Sequence, residues 1–317
     1  MGVNQKHTGD GAGKVDARPF LKRLTIAALC IFIAQEAVAL SPSEKEHVRQ
    51  VVEELKGKVL LSVQDYDKTN PLDRPTAIGE GSAWKEVNAP KDDYDREYPG
   101  RLKQYLGIEL AIANSKELNA EIAKAKQEDA ERICDKWIEE AEEVIGGVKR
   151  KDVIRAAKLY LGLDRLVRRY RADAITMASW HLAGHSNKES VTNAMPPLSW
   201  LEFSKRNIPV GCEALLDCSA TQMVGTYLTN GRAGFLGDIL NDWVDWPKRL
   251  KKGVERPGNV VLIGHCGAPI TPHGNDRARY LIRDHVVSKS KALRLFGPED
   301  TATAVTVMWP ANEIVTI

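Results

Sequence analysis

Residues 153–178, VIRAAKLYLGLDRLVRRYRADAITMA, decide the fold. Val153, Ala156, Tyr160, Leu163, Val167 and Tyr170 recur three or four positions apart, the spacing that gathers side chains on one face of a helix. The period breaks at Asp173, and Ala174–Ala178 is an apolar run of strand length. Toward the N-terminus, Ser115 opens a long helical pattern through Leu118, Ile122, Ile133, Trp137, Ala141 and Val144, and Gly146-Gly147 closes it. Ile108–Ala113 and Val59–Val63 read as further buried strands. Strand and helix in alternation predict an α/β fold with a parallel sheet and flanking helices. Gln64–Arg101, polar and punctuated by Asn70-Pro71 and Asp73-Arg74-Pro75, reads as a long loop.

Beyond Trp180 the texture changes. Pro209–Glu213, Gly234–Asp238 and Val260–Cys266 read as short apolar strands that end in polar or Gly-rich corners. Ligands of open parallel sheets bind beyond the carboxyl ends of strands, and Glu213, Asp238 and His265 fall at such ends. The expected organisation is therefore a leader or linker at 1–50, an α/β Rossmann-like domain at 51–205, and a metal- and substrate-binding domain at 206–317. Ala304–Met308 and Ile314–Ile317 read as strands with little to pack on.

With 45 basic and 43 acidic residues in 317, the net charge of +2 creates no field that would recruit nucleic acid or membrane. Arg165, Arg168, Arg169 and Arg171 read as a solvated helix face. The five cysteines, Cys30, Cys134, Cys212, Cys218 and Cys266, are scattered and form no CxxC pair, which fits a reduced compartment and small buried fillers. Thr8–Lys14 superficially matches a phosphate loop but lacks its glycine spacing, and Val15 stands where Ser or Thr should follow. Lys22-Arg23, the apolar run Leu24–Ala34 and Ala37-Val38-Ala39 follow the order of a secretory signal, yet Gln35 and Glu36 interrupt its small-residue end. The reading is cytoplasmic, with export through residues 22–39 as the alternative.

Moving a proton between the carbons of an aldose and a ketose needs a base and a group that stabilises the developing enediolate. A divalent cation on the sugar's adjacent oxygens meets the second need, and a hard ion such as Mn²⁺ takes carboxylate and imidazole ligands. Glu213, Asp238 and His265 supply those types. Among the remaining histidines, His181 and His185 are four apart on a stretch that Gly184 makes a loop, and His273 sits in a turn-rich Pro272–Asp276 segment. All three are weaker substrate candidates. Trp180, Trp200, Trp243 and Trp246 read as core.

Val210-Gly211-Cys212-Glu213, Gly231–Asp238 and Gly264-His265-Cys266-Gly267-Ala268-Pro269 resemble successive motifs of the C-terminal domain in the L-fucose/L-arabinose isomerase-like family. The likeness extends over about 100–310. It implies that Glu213 and Asp238, 25 positions apart, hold the metal and move the proton, with His265 as a ligand or orienting group. It also implies Mn²⁺ or another divalent cation, a small-molecule sugar as substrate and a homo-oligomeric assembly. The family commonly has Gly-Asp after the Glu, where this chain has Ala214-Leu215. A further His ligand and a small β-rich subdomain lie beyond the equivalent of Ile317 in the family, so the resemblance implies a piece of a longer protein or a reduced member. The alternatives are a catalytically silent sugar-binding or assembly module of the same fold, and a metal-dependent hydrolase or lyase.

Overall fold

A computed structural model describes residues 40–65, 93–179, 182, 194–231, 234, 237–239, 263–264, 270, 277–285 and 302–308, with the backbone alone at 93–96, 238–239 and 263–264. The chain divides into Met1–Gln50 and Val51–Ile317, and the division falls inside the first helix among the described residues, α1 (Pro42–Leu55). Ser41 precedes that helix, and its hydroxyl and backbone N–H both donate to the Glu44 carboxylate.

Among the described residues, four parallel strands form the main sheet: β1 (Val59–Val63), β2 (Glu109–Ala113), β4 (Ala174–Met177) and β5 (Val210–Cys212), in spatial order β2-β1-β4-β5. The expected α/β class is observed. β5 lies beyond residue 205, yet it pairs with β4 and belongs to the same sheet as β1 and β2. The strand order reverses between β1 and β4, because the chain first steps from β1 to β2 and then returns across β1.

Side-chain alternation divides the sheet into two faces. Leu61, Val63, Ile175, Met177 and Cys212 are buried with Leu159, Leu163, Leu166 and Val167 of α5 (Arg150–Tyr170) and with Trp200 and Phe203 of α6 (Pro197–Ser204). Thr176 and Gly211 turn to the opposite face, where α7 (Leu216–Leu228) lies so close that a Cβ on Gly211 would collide with Ser219 Oγ and crowd Thr176. Gly211→Ala is therefore expected to cost about 1–3 kcal/mol, as over-packing does. Urea unfolding checks this through a lowered midpoint at unchanged slope.

The helix expected from Ser115 onward is two helices, α3 (Ser115–Ala123) and α4 (Gln127–Glu140). The N-cap of α3 is Asn114, whose Oδ1 accepts from the Glu117 N–H while the Glu117 carboxylate accepts from the Asn114 N–H. Part of the expected loop is also helical: α2 (Asp93–Leu106) forms despite Pro99, and buries Tyr98 and Leu102 one turn apart. A proline inside a helix ordinarily disfavours it, but here tertiary burial outweighs that cost.

A smaller sheet has the order β3-β8-β9, from β3 (Glu143–Val144), β8 (Arg279–Asp284) and β9 (Thr303–Met308). Its core holds Tyr280, Ile282 and Val305 against Trp137 and Cys134 of α4, Val153, Ala156 and Ala157 of α5, and Leu198 and Leu201 of α6. β9 is thus not the unsupported strand expected from sequence: it pairs along its whole length with β8, and Ala304 and Val305 are buried. Residues 314–317 lie outside the described set. α5 serves both cores, its C-terminal half on the main sheet and its N-terminal half on the smaller one.

The arginines near the end of α5 are paired rather than only solvated. Arg168 contacts Asp164, Arg169 contacts Glu121, and Arg165 donates to the Glu121 carbonyl. Cys134, Cys212 and Cys218 form no disulfide. Among the described residues no helix is long and apolar enough to cross a membrane; residues 22–39 lie outside them.

Candidate functional site at the carboxyl edge of the parallel sheet

The carboxyl edge gathers polar groups as each strand runs out. After β1, the Gln64 N–H continues the ladder to the Ala113 carbonyl at 2.9 Å, and Asp65 Oδ1 accepts from the Ser115 N–H at 2.7 Å. The Gln64 side chain is buried, its Nε2 donates to Ser62 Oγ, and its Oε1 has no hydrogen-bond partner among the described residues. After β4, the Ala178 N–H donates to the Val63 carbonyl, and buried Ser179 donates from Oγ to the Met177 carbonyl. These two strand ends flank the point where the strand order reverses, the usual place for a ligand crevice.

Glu213 sits at the same edge, one strand further out, directly after β5. Its backbone and that of Ala214 are both left-handed, with φ of 64° and 53°. Left-handed geometry costs a residue with a Cβ roughly 1–2 kcal/mol, and two such residues in succession mark a corner held by its surroundings. The Ala214 N–H donates to the Met177 carbonyl at 3.1 Å and the Leu215 N–H to the Cys212 carbonyl at 3.3 Å, which fixes the corner. Glu213 is half-buried, while Ala214 is fully buried. The reading of Glu213 as the end of a strand holds, but the left-handed turn was not legible, because neither residue is Gly or Asn.

Asp238 is placed differently from the expectation. It begins a strand, β6 (Asp238–Ile239), rather than ending one, and β6 pairs antiparallel with β7 (Ile263–Gly264) outside the main sheet. In that ladder Asp238 stands opposite Gly264. The motif segments that contain Asp238 and His265 are therefore neighbours through their backbones. The reason for the difference is that two residues suffice for an antiparallel bridge, whereas apolar patterning had extended each strand over five or more. His265, His181, His185 and His273 all lie outside the described residues, as do Trp180, Trp243 and Trp246. Among the described residues, no three His, Cys, Asp or Glu side chains group to hold a metal ion.

An ion cluster around a buried lysine pins the end of α6. Lys205, only 5% exposed, bridges Glu140 at 2.6 Å and Glu202, and Lys136 approaches Glu202 at 3.3 Å. Burial alone would raise the Glu202 pKa, but Lys205 and Lys136 outweigh it and hold the carboxyl below its ordinary value. A depressed folded pKa contributes stability that is present above the unfolded value and lost as pH falls through the folded one. The wild type is thus expected to lose more stability on acidification below about pH 4.3 than Glu202→Gln, as denaturant midpoints measured across that range would show.

These features define an α/β protein whose open parallel sheet reverses its strand order beside a polar carboxyl edge. No protein-family model matches the chain, and no curated protein matches it.

Proposed function

We propose that this chain carries a metal-dependent aldose–ketose isomerase site in which Glu213 and Asp238 are ligands and proton-transfer groups and His265 is a third ligand. The observation that carries the reading is the left-handed corner at Glu213–Ala214, beyond the carboxyl end of a parallel strand. The isomerase-like family commonly has Gly directly after this Glu, and φ of 53° at Ala214 is a backbone geometry that suits Gly. Pairing of the Asp238 and Gly264 segments supports it further.

The donor set fits a hard divalent cation, since two carboxylates and an imidazole are ligand types that Mn²⁺ accepts. When bound, the cation would supply Lewis-acid polarisation of adjacent sugar oxygens. The chain's own groups do the rest. One carboxylate removes the proton from the carbon beside the carbonyl and delivers one to the carbonyl carbon, and the second carries the hydroxyl proton, which must shift in the same direction, from the hydroxyl oxygen to the former carbonyl oxygen.

The test is to incubate the protein and Mn²⁺ with a panel of aldoses and, separately, the matching ketoses. An isomerase reaches one mixture from both sides, a hydrolase or lyase consumes its sugar irreversibly, and a silent module changes nothing. Ala214→Gly should relieve the left-handed strain and raise stability by roughly 1 kcal/mol with the fold unchanged. A lower unfolding midpoint in that variant would contradict the assigned corner.

A further inference from the structure

We infer that Trp200, Cys212 and Ser179 form a positioning device that sets the Glu213 carboxylate for metal binding, an inference that rests on the isomerase-type site proposed above. The three side chains are buried at 2%, 2% and 0% exposure. They come from three elements: α6, the last position of β5 and the turn after β4. Trp200 Nε1–H donates to Cys212 Sγ at 3.3 Å, and Cys212 Sγ lies 3.4 Å from Ser179 Oγ.

Proton counting gives the contacts a direction. The single hydroxyl proton of Ser179 is committed to the Met177 carbonyl at 3.1 Å, so Ser179 Oγ accepts from the Cys212 thiol. The sulfur in turn accepts from the indole N–H, which has no acceptor capacity of its own. The result is one continuous chain of donors, from Trp200 through Cys212 and Ser179 to the Met177 carbonyl. That same carbonyl accepts the Ala214 N–H. Glu213 is thereby bracketed: the side chain before it is tied on two sides, and the residue after it is tied to the carbonyl at which the chain ends.

A plain apolar filler at 212 would occupy similar volume without fixing the strand end against α6 and β4. Cys212 is placed to do both, although sequence reading assigns it to packing alone. Groups that orient a metal ligand typically change metal affinity by 10–100-fold when lost.

The experiment measures equilibrium Mn²⁺ binding, by the electron paramagnetic resonance signal of the unbound ion, on the full chain. Cys212→Ala breaks the relay and is expected to weaken Mn²⁺ binding about tenfold. Cys212→Ser restores a donor and an acceptor at the same position and is expected to bind within about twofold of wild type, because its hydroxyl offers the same hydrogen-bonding roles. Should Cys212→Ala fail to fold, Ser179→Ala removes the second link without altering β5, with the same tenfold loss expected. Glu213→Gln is the control and should lose binding. Wild-type affinity in Cys212→Ala or Ser179→Ala, with binding lost in Glu213→Gln, overturns the positioning role alone. Wild-type affinity in Glu213→Gln overturns the site on which it rests. An equal loss in Cys212→Ser and Cys212→Ala also overturns the positioning role, because it shows that packing volume and not the relay is what matters.

Discussion

Asp238→Asn is expected to lower turnover by about 10²–10⁴-fold, the usual loss on removing an acid–base group, while metal occupancy falls much less. The substitution keeps the size of the side chain and one oxygen, but it removes the charge that takes up the proton in the proposed mechanism. Excess Mn²⁺ should not rescue it, whereas it would rescue a variant that had only weakened a ligand. Glu213→Gln should lose turnover at least as far, together with its Mn²⁺ binding, because Glu213 is proposed as both ligand and proton-transfer group. Kinetics at saturating metal, read beside bound-metal stoichiometry, distinguish the cases. Full activity in either variant with unchanged metal content would remove that residue from the mechanism.

Trp137→Ala is expected to destabilise the protein by about 3–5 kcal/mol, the range for deleting a buried aromatic side chain. Trp137 is fully buried on α4 and meets Tyr160 of α5 edge-on, with ring centroids 5.9 Å apart. Tyr160 in turn lies 5.5 Å from Phe203 of α6, so one aromatic series ties α4, α5 and α6 together. The Trp137 carbonyl also accepts the Tyr280 hydroxyl at 3.0 Å, which links α4 to β8. Losing the indole leaves a cavity where the two cores meet on α5. Equilibrium unfolding in urea, followed by far-UV circular dichroism, would register the loss as a lower midpoint.

The main sheet was legible because its strands are continuous apolar runs and α5 has a clean helical period. Val59–Val63 and Arg150–Tyr170 lie where apolar patterning places them. The smaller sheet was legible only in β9, which lies where Ala304–Met308 reads as a strand; its partners were not. β8 reads RYLIRD, with charges at both ends and one in its alternating pattern, and its burial depends on α4 and β9 far away in sequence. The break between α3 and α4 carries no Gly or Pro, so the long apolar period concealed it. At the candidate site, Glu213 stands out in sequence because a carboxylate after an apolar strand needs an explanation. Ser179 could not, since a lone Ser after a strand is ordinary until its contact with Cys212 is seen. Asp238 was found by motif but assigned to the wrong end of its strand, because backbone pairing of two-residue segments leaves no period to read.

Proton exchange during sugar interconversion tests the central claim most directly. The Mn²⁺-loaded protein is incubated in deuterated water with an aldose, and separately with its ketose, and the products are examined by proton NMR. The account predicts the same aldose–ketose mixture from both sides, with solvent deuterium at the carbon that gains hydrogen. Absence of interconversion across the sugar panel would contradict the isomerase reading, and interconversion without deuterium uptake would contradict proton transfer by Glu213 and Asp238.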